Sequence, residues 1–327
     1  MRLRLLYKWE KNLLPWEEPE PEAVLAWIAQ QESAWEAREG ESWRNLPING
    51  RALNPFDVKG VNAALASEGL AYGAGLGRSL APTFFLGELV EERRLGDITV
   101  LILSRELARD LDGTPGLCQG TLVYARRQPL AYYLWDRLAD PAPQGNHFRE
   151  AALAFYGISL GDLLKNPEGH QELWEELLSG ELEAIIRHEL GEAQETSLRP
   201  VFSTILELFP QSRLELWIRG LKDALAEVNE WGRLTYLIET RHLPSVALMQ
   251  AFQPGIYSLL LPELEPAFLK FTASGDWDIL DMARRSALSR LRQVAAEAQE
   301  LVKVRGTDNP EHLRELLSAR FLKPLGL

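Results

Sequence analysis

Thr83-Phe84-Phe85-Leu86-Gly87-Glu88-Leu89-Val90-Glu91-Glu92, then Leu95-Gly96-Asp97, then Ile98-Thr99-Val100-Leu101-Ile102-Leu103, is the stretch that decides the fold class. Its apolar and β-branched runs on either side of a glycine turn read as two strands, the second continuous enough to be buried. Thr121-Leu122-Val123-Tyr124 is a third strand of the same kind. Ser104 reads as the N-cap of a helix reaching about Leu111, and Pro129 sits at the first position of a helix over Leu130–Leu138. The expectation is therefore a small antiparallel sheet of three or four strands, with helices, in the N-terminal half.

Outward from this stretch the chain reads as helix. Upstream, Val24, Leu25, Ile28 and Trp35 repeat at helical spacing over about 21–39, and Phe56 to Glu68 suits a short helix. Pro141-Ala142-Pro143-Gln144-Gly145-Asn146 is the best internal boundary. Beyond it the pattern predicts helices at about 147–156, 159–165, 168–197, 199–209, 212–242, 244–252, 263–273, 276–304 and 309–320. The overall reading is α+β and predominantly α-helical. A region with a small sheet spans 1–140 and a helical bundle spans 141–327.

The 327 residues carry a formal net charge of −12. A phosphate backbone repels such a chain, which argues against nucleic acid as a partner. The single cysteine, Cys118, excludes an intrachain disulfide. MRLRLLYKWEKNLLPW at the start lacks the apolar run of a signal peptide, and no stretch approaches the roughly 20 apolar residues of a membrane span. These features predict a cytoplasmic, bacterial protein that does not bind membranes. A protein partner or a homo-oligomer stays open, with Trp9, Trp16, Trp27, Trp35 and Trp43 as candidate anchors.

Chemistry is concentrated in Arg187-His188-Glu189-Leu190-Gly191-Glu192-Ala193-Gln194-Glu195. Leu178, Leu182, Ile185, Ile186, Leu190 and Ala193 define an apolar helix face with Glu189 near its centre and Glu192 at its edge. A carboxylate aimed at a core needs a cation, a hydrogen-bond network or a proton of its own. In the segment 212–242, the stripe Leu214, Trp217, Leu221, Leu225 and Val228 continues to Glu239, with His242 one turn on. Convergence of the two helices would gather His188, Glu189, Glu192, Glu239 and His242. Mixed imidazole and carboxylate ligands suit a divalent ion, zinc, iron or manganese.

Two local patterns resemble known families. His188-Glu189-Leu190-Gly191-Glu192 resembles the HELGH form of the zincin metalloprotease motif, in which two histidines bind zinc and the glutamate activates water; Glu192 stands where the second histidine would be. Glu239-x-x-His242 is similar to the pairs of ferritin-like di-iron proteins, which use two such pairs where this chain shows one. Tyr72-Gly73-Ala74-Gly75-Leu76-Gly77-Arg78-Ser79 loosely resembles a phosphate loop.

The leading expectation is a metal-binding helical protein, a metal-dependent hydrolase or oxidase. His188, Glu192, Glu239 and His242 would hold the ion, with Glu189 as general base or bridging ligand. The alternative is a non-catalytic interaction or scaffold protein whose buried Glu, His and Arg side chains form a structural ion-pair network.

Overall fold

The computed structural model describes residues 2–76, 82–141, 146–252, 255–305 and 308–327. They form two compact units. The first comprises residues 1–117, 124–140 and 166–174; the second comprises 118–123, 141–165 and 175–327. The sequence boundary at 140/141 is one of several chain crossings between them.

The first unit opens with helices α1 (Arg2–Glu10) and α2 (Pro21–Glu36), the latter started by Pro21 at its first turn. Strands β1 (Leu46–Ile48) and β2 (Arg51–Leu53) make a two-stranded hairpin. Its turn is Asn49-Gly50, both at positive φ, the pairing that a tight hairpin requires. Helix α3 (Val58–Leu65) follows, capped by Asp57, whose carboxylate accepts from the Gly60 amide at 3.0 Å.

The strands β3 (Leu70–Leu76), β4 (Pro82–Leu95), β5 (Ile98–Ala108), β6 (Gly116–Gln119) and β7 (Leu122–Arg126) build one sheet in the order β3-β4-β5-β7-β6. This corrects the expected small antiparallel sheet: the sheet has five strands, is mixed, and curls into a half-barrel. β3–β4 and β4–β5 are antiparallel. The turn between β6 and β7 is too short for anything but an antiparallel hairpin, so β7 runs parallel to β5. Register shifts at Leu86/Gly87, Gly87/Leu89 and Leu89/Glu91 place the extra residue on β5 twice and on β4 once, and such bulges strengthen the curl.

The helix expected from Ser104 is absent, because β5 continues to Ala108. The glycine run also reads differently: Gly73 and Gly75 lie within β3, and the part from Gly77 to Ser79 is outside the described residues. A Cβ on Gly73 would meet the Phe85 ring at 2.1 Å, so this glycine makes room for an aromatic side chain. Helix α4 (Arg127–Leu138) buries Leu130, Leu134 and Leu138.

The second unit is helical: α5 (Asn146–Ala154), α6 (Leu160–Lys165), α7 (Gln171–Gln194, in this unit from residue 175), α8 (Arg199–Leu208), α9 (Arg213–Val228), α10 (Arg233–Glu239), α11 (Leu243–Ala251), α12 (Gly255–Leu260), α13 (Leu264–Ser274), α14 (Trp277–Arg305) and α15 (Pro310–Leu317). Helix α9 is its axis. Leu214, Trp217, Ile218, Leu221, Ala224, Leu225 and Val228 are buried in one core with side chains of α8, α14 and α15. Trp217 stacks on Phe321 with ring centroids 4.7 Å apart. The chain is mostly helical, and among the described residues no helix is long and apolar enough to cross a membrane.

Candidate metal centre

Helices α7 and α9 meet at Gly191. A Cβ there would stand 2.2 Å from the Ala226 carbonyl oxygen, so only a glycine permits this backbone approach. Asn229, at the end of α9, donates from Nδ2 to the Gly191 carbonyl at 2.8 Å and fixes the crossing. Residues within a turn of the contact are thereby forced together: His188, Glu189 and Glu192 from α7, and Lys222, Asp223 and Glu227 from α9.

His188 is the hub. Its Nδ1 lies 3.2 Å from Glu227 Oε1 and its Nε2 lies 3.6 Å from Glu192 Oε1. Nδ1 forms no hydrogen bond, so the first approach is an ion-pair contact. The other Glu192 oxygen takes Lys222 Nζ. Glu227 also accepts from Arg233 Nε at 2.8 Å. One ligand atom from each of His188, Glu192 and Asp223 lies within 4.8 Å of the others, which makes a three-residue cluster able to hold a metal ion.

Burial and mutual charge set the protonation of the group. Burial, reinforced by the Glu192 charge, raises the Glu189 carboxyl to about 8. Among the described residues Glu189 has neither an ion-pair partner nor a hydrogen bond, so it keeps its proton at neutral pH. Burial and Glu192 likewise push Asp223 up to about 6. For Glu192 and Glu227 burial also favours the neutral acid, but His188 with Lys222, and Arg233 with His188, outweigh it and hold both below the usual carboxylate range. Burial works against the charged imidazole of His188, yet Glu227 and Glu192 raise it well above its ordinary value. The second unit thus gathers more acids than cations around one imidazole.

Of the residues singled out in the sequence, the fold brings together His188, Glu189 and Glu192. Glu239 is exposed at the end of α10, and His242 sits at the start of α11 with its ring against Gly180; neither belongs to the three-residue cluster. The physical reason is a break in the segment 212–242. At Asn229 and Gly232 the backbone turns extended, with ψ of 176° and 170°, so the apolar stripe of α9 does not carry into α10. Asp223, Lys222, Glu227 and Arg233 stand in no motif that the sequence alone marks as a site. The available signal was Gly191, whose position between His188 and Glu192 marks a close helix crossing. In the zincin-like pattern, the residue standing in place of the second histidine binds Lys222.

Residues 1–126 match the N-terminal domain, and residues 131–320 the C-terminal domain, of a family described as a family of unknown function (DUF6866). No curated protein and no solved structure matches the chain.

Proposed function

The chain belongs to the DUF6866 family, and we propose that its second unit binds one divalent transition-metal ion through His188, Glu192 and Asp223. The observation that carries this reading is the pose of His188. Its Nδ1 faces the Glu227 carboxylate and its Nε2 faces Glu192, the orientation in which a carboxylate steadies a metal-binding imidazole from behind. The donor set of one imidazole and two carboxylates suits zinc, iron or manganese. Glu192 has one oxygen toward His188 and one on Lys222, so it can take an ion without giving up its cation.

When bound, such an ion supplies Lewis acidity and an acidified water. The chain's own contribution is positional. Gly191 sets the helix spacing, Glu227 and Arg233 steady the imidazole, and neutral Glu189 beside the ligands holds a transferable proton. A metal-dependent hydrolase or oxidase is the class of activity these parts serve.

A second reading has its own support. Lys222 on Glu192 and Arg233 on Glu227 already compensate two of the acids, as a structural ion-pair network would. Elemental analysis of protein purified without chelator, together with melting in added Zn²⁺, Fe²⁺ or Mn²⁺, separates the two. Metal binding predicts about one ion per chain and a stabilisation of about 2.7 kcal/mol at a hundredfold excess over Kd. His188→Gln and Asp223→Asn should abolish both, while Glu239→Gln leaves both intact. Less than about 0.1 ion per chain with unchanged melting would leave only the ion-pair network.

A further inference from the structure

Each ligand of the candidate metal centre has a neighbour that holds it from outside the cluster. For His188 it is Glu227, 3.2 Å from Nδ1, and for Glu192 it is Lys222. For Asp223 it is Tyr257 on α12, whose hydroxyl hydrogen-bonds the Asp223 carboxyl. The backbone builds this contact at Gly220 on α9. A Cβ there would stand 3.0 Å from Ile256 Cγ1 and 3.1 Å from Leu260 Cδ1, so the missing side chain lets α12 lie close against α9. Leu260 belongs to the buried core, and Ile256 and Tyr257 pack on that core, which fixes the ring from which the hydroxyl projects. Asp223 stands one turn further along α9 than Gly220.

These partners limit how many atoms the carboxylates can offer to an ion. Glu192 turns Oε1 toward His188 and gives Oε2 to Lys222. Asp223 brings one oxygen to the cluster and is engaged by Tyr257. A carboxylate held through one oxygen by an outside donor ligates through the other alone. His188 adds one nitrogen, because its Nδ1 faces Glu227. His188, Glu192 and Asp223 thus bring one donor atom each, and a water completes a four-coordinate shell. Zinc takes three protein ligands and a water in a tetrahedral site, whereas manganese favours an octahedral, oxygen-rich one.

Given an ion at His188, Glu192 and Asp223, we infer that the centre is a four-coordinate zinc site with one position open to water, and that Tyr257 sets this preference by holding Asp223 to a single ligating oxygen. The inference rests on the metal reading and narrows it. Tyr257 is a positioning residue: it touches the ligand, not the ion. Loss of its hydroxyl frees the second Asp223 oxygen, and a chelating carboxylate raises the coordination number toward the one manganese takes. The ring keeps its packing when only the hydroxyl is removed, so the effect is separable from folding.

The test uses the full chain, stripped with chelator and titrated with Zn²⁺, Mn²⁺ and Co²⁺. Zinc outbinds manganese at most nitrogen–oxygen sites, so the readouts are the cobalt spectrum and the change in the zinc-to-manganese ratio. Bound Co²⁺ should show the intense visible bands of a four-coordinate ion. Tyr257→Phe should weaken those bands toward the pale spectrum of a six-coordinate ion. It should also reduce the preference for Zn²⁺ over Mn²⁺ by at least about tenfold, the size of effect that partners of a metal ligand have. Ile256→Val, a packing change on the same helix that leaves the hydroxyl, should move neither readout. A pale cobalt spectrum in the wild-type protein, or a Tyr257→Phe variant with the wild-type spectrum and ratio, overturns the inference and leaves the metal reading standing. An Ile256→Val variant that matches Tyr257→Phe overturns it as well, because packing then accounts for the effect. If the wild-type protein binds none of the three ions, the metal reading falls and this inference falls with it.

Discussion

At Gly191 the absence of a side chain does more for the candidate site than any charged group beside it. The Ala226 carbonyl occupies the space a Cβ needs, and the obstacle is backbone, which cannot rotate aside. Gly191→Ala should therefore destabilise the protein by about 1–3 kcal/mol, as overpacking does, read from urea denaturation. The Arg233–Glu227 contact makes a second prediction. Glu227 is 3% exposed, and removing Arg233 leaves that buried negative charge with His188 alone. Arg233→Ala should cost about 3–5 kcal/mol in the same assay. Glu181 provides a pH signature. Burial raises its carboxyl above the ordinary value, so the native state holds this proton more tightly than the unfolded chain does. Its contribution is most favourable below the ordinary carboxylate pKa and is lost as pH rises from there through the raised value. With chelator present, Glu181→Gln should flatten the decline of stability with pH over that window, measured as the urea midpoint at stepped pH.

The elements show where local signals suffice. Helix α9 begins at Ser212, whose Oγ accepts from the Glu215 amide at 3.2 Å while Glu215 reaches back to the Gln211 amide at 2.6 Å, a reciprocal cap written in the spacing of the two residues. Ser212→Ala should cost about 0.5–2 kcal/mol in thermal or urea unfolding. The start of this helix was legible to within a residue, and so were Pro21 opening α2 and Asn309-Pro310 opening α15. Its end was not. Asn229 leaves the helix because its side chain serves α7, and because Arg284, paired with Asp281, takes the preceding carbonyl by donating to Val228 at 3.0 Å. Those partners are distant in sequence, and periodicity across 212–242 has no access to them. The same holds for β5. Ser104-Arg105-Glu106 reads locally as a helix start, yet Glu106 is drawn into the sheet interior by Arg126 on β7. The hairpin turn Asn49-Gly50 is the opposite case: a purely local signal, present in the sequence and not used.

At the scale of the whole molecule, the candidate metal residues His188, Glu192 and Asp223 all lie in the second unit. The net charge of −12 adds an expectation about partners: retention on immobilised duplex DNA should be absent at physiological salt, since no counterion release compensates the repulsion.

The α+β class, the helical character of the C-terminal part, the N-terminal ends of several helices and the placing of His188, Glu189 and Glu192 on one helix were all written in the order of residues, because periodicity, caps and a carboxylate on an apolar face are properties of neighbours along the chain. The five-stranded order with β7 beside β5, the break that carries Glu239 away, and the company of Asp223, Lys222 and Glu227 around His188 arose only when the chain closed on itself. Each depends on a contact between residues far apart in sequence, a strand choosing its neighbour or two helices meeting at Gly191. Such contacts are selected by the packing of the whole core and by which buried charges find each other.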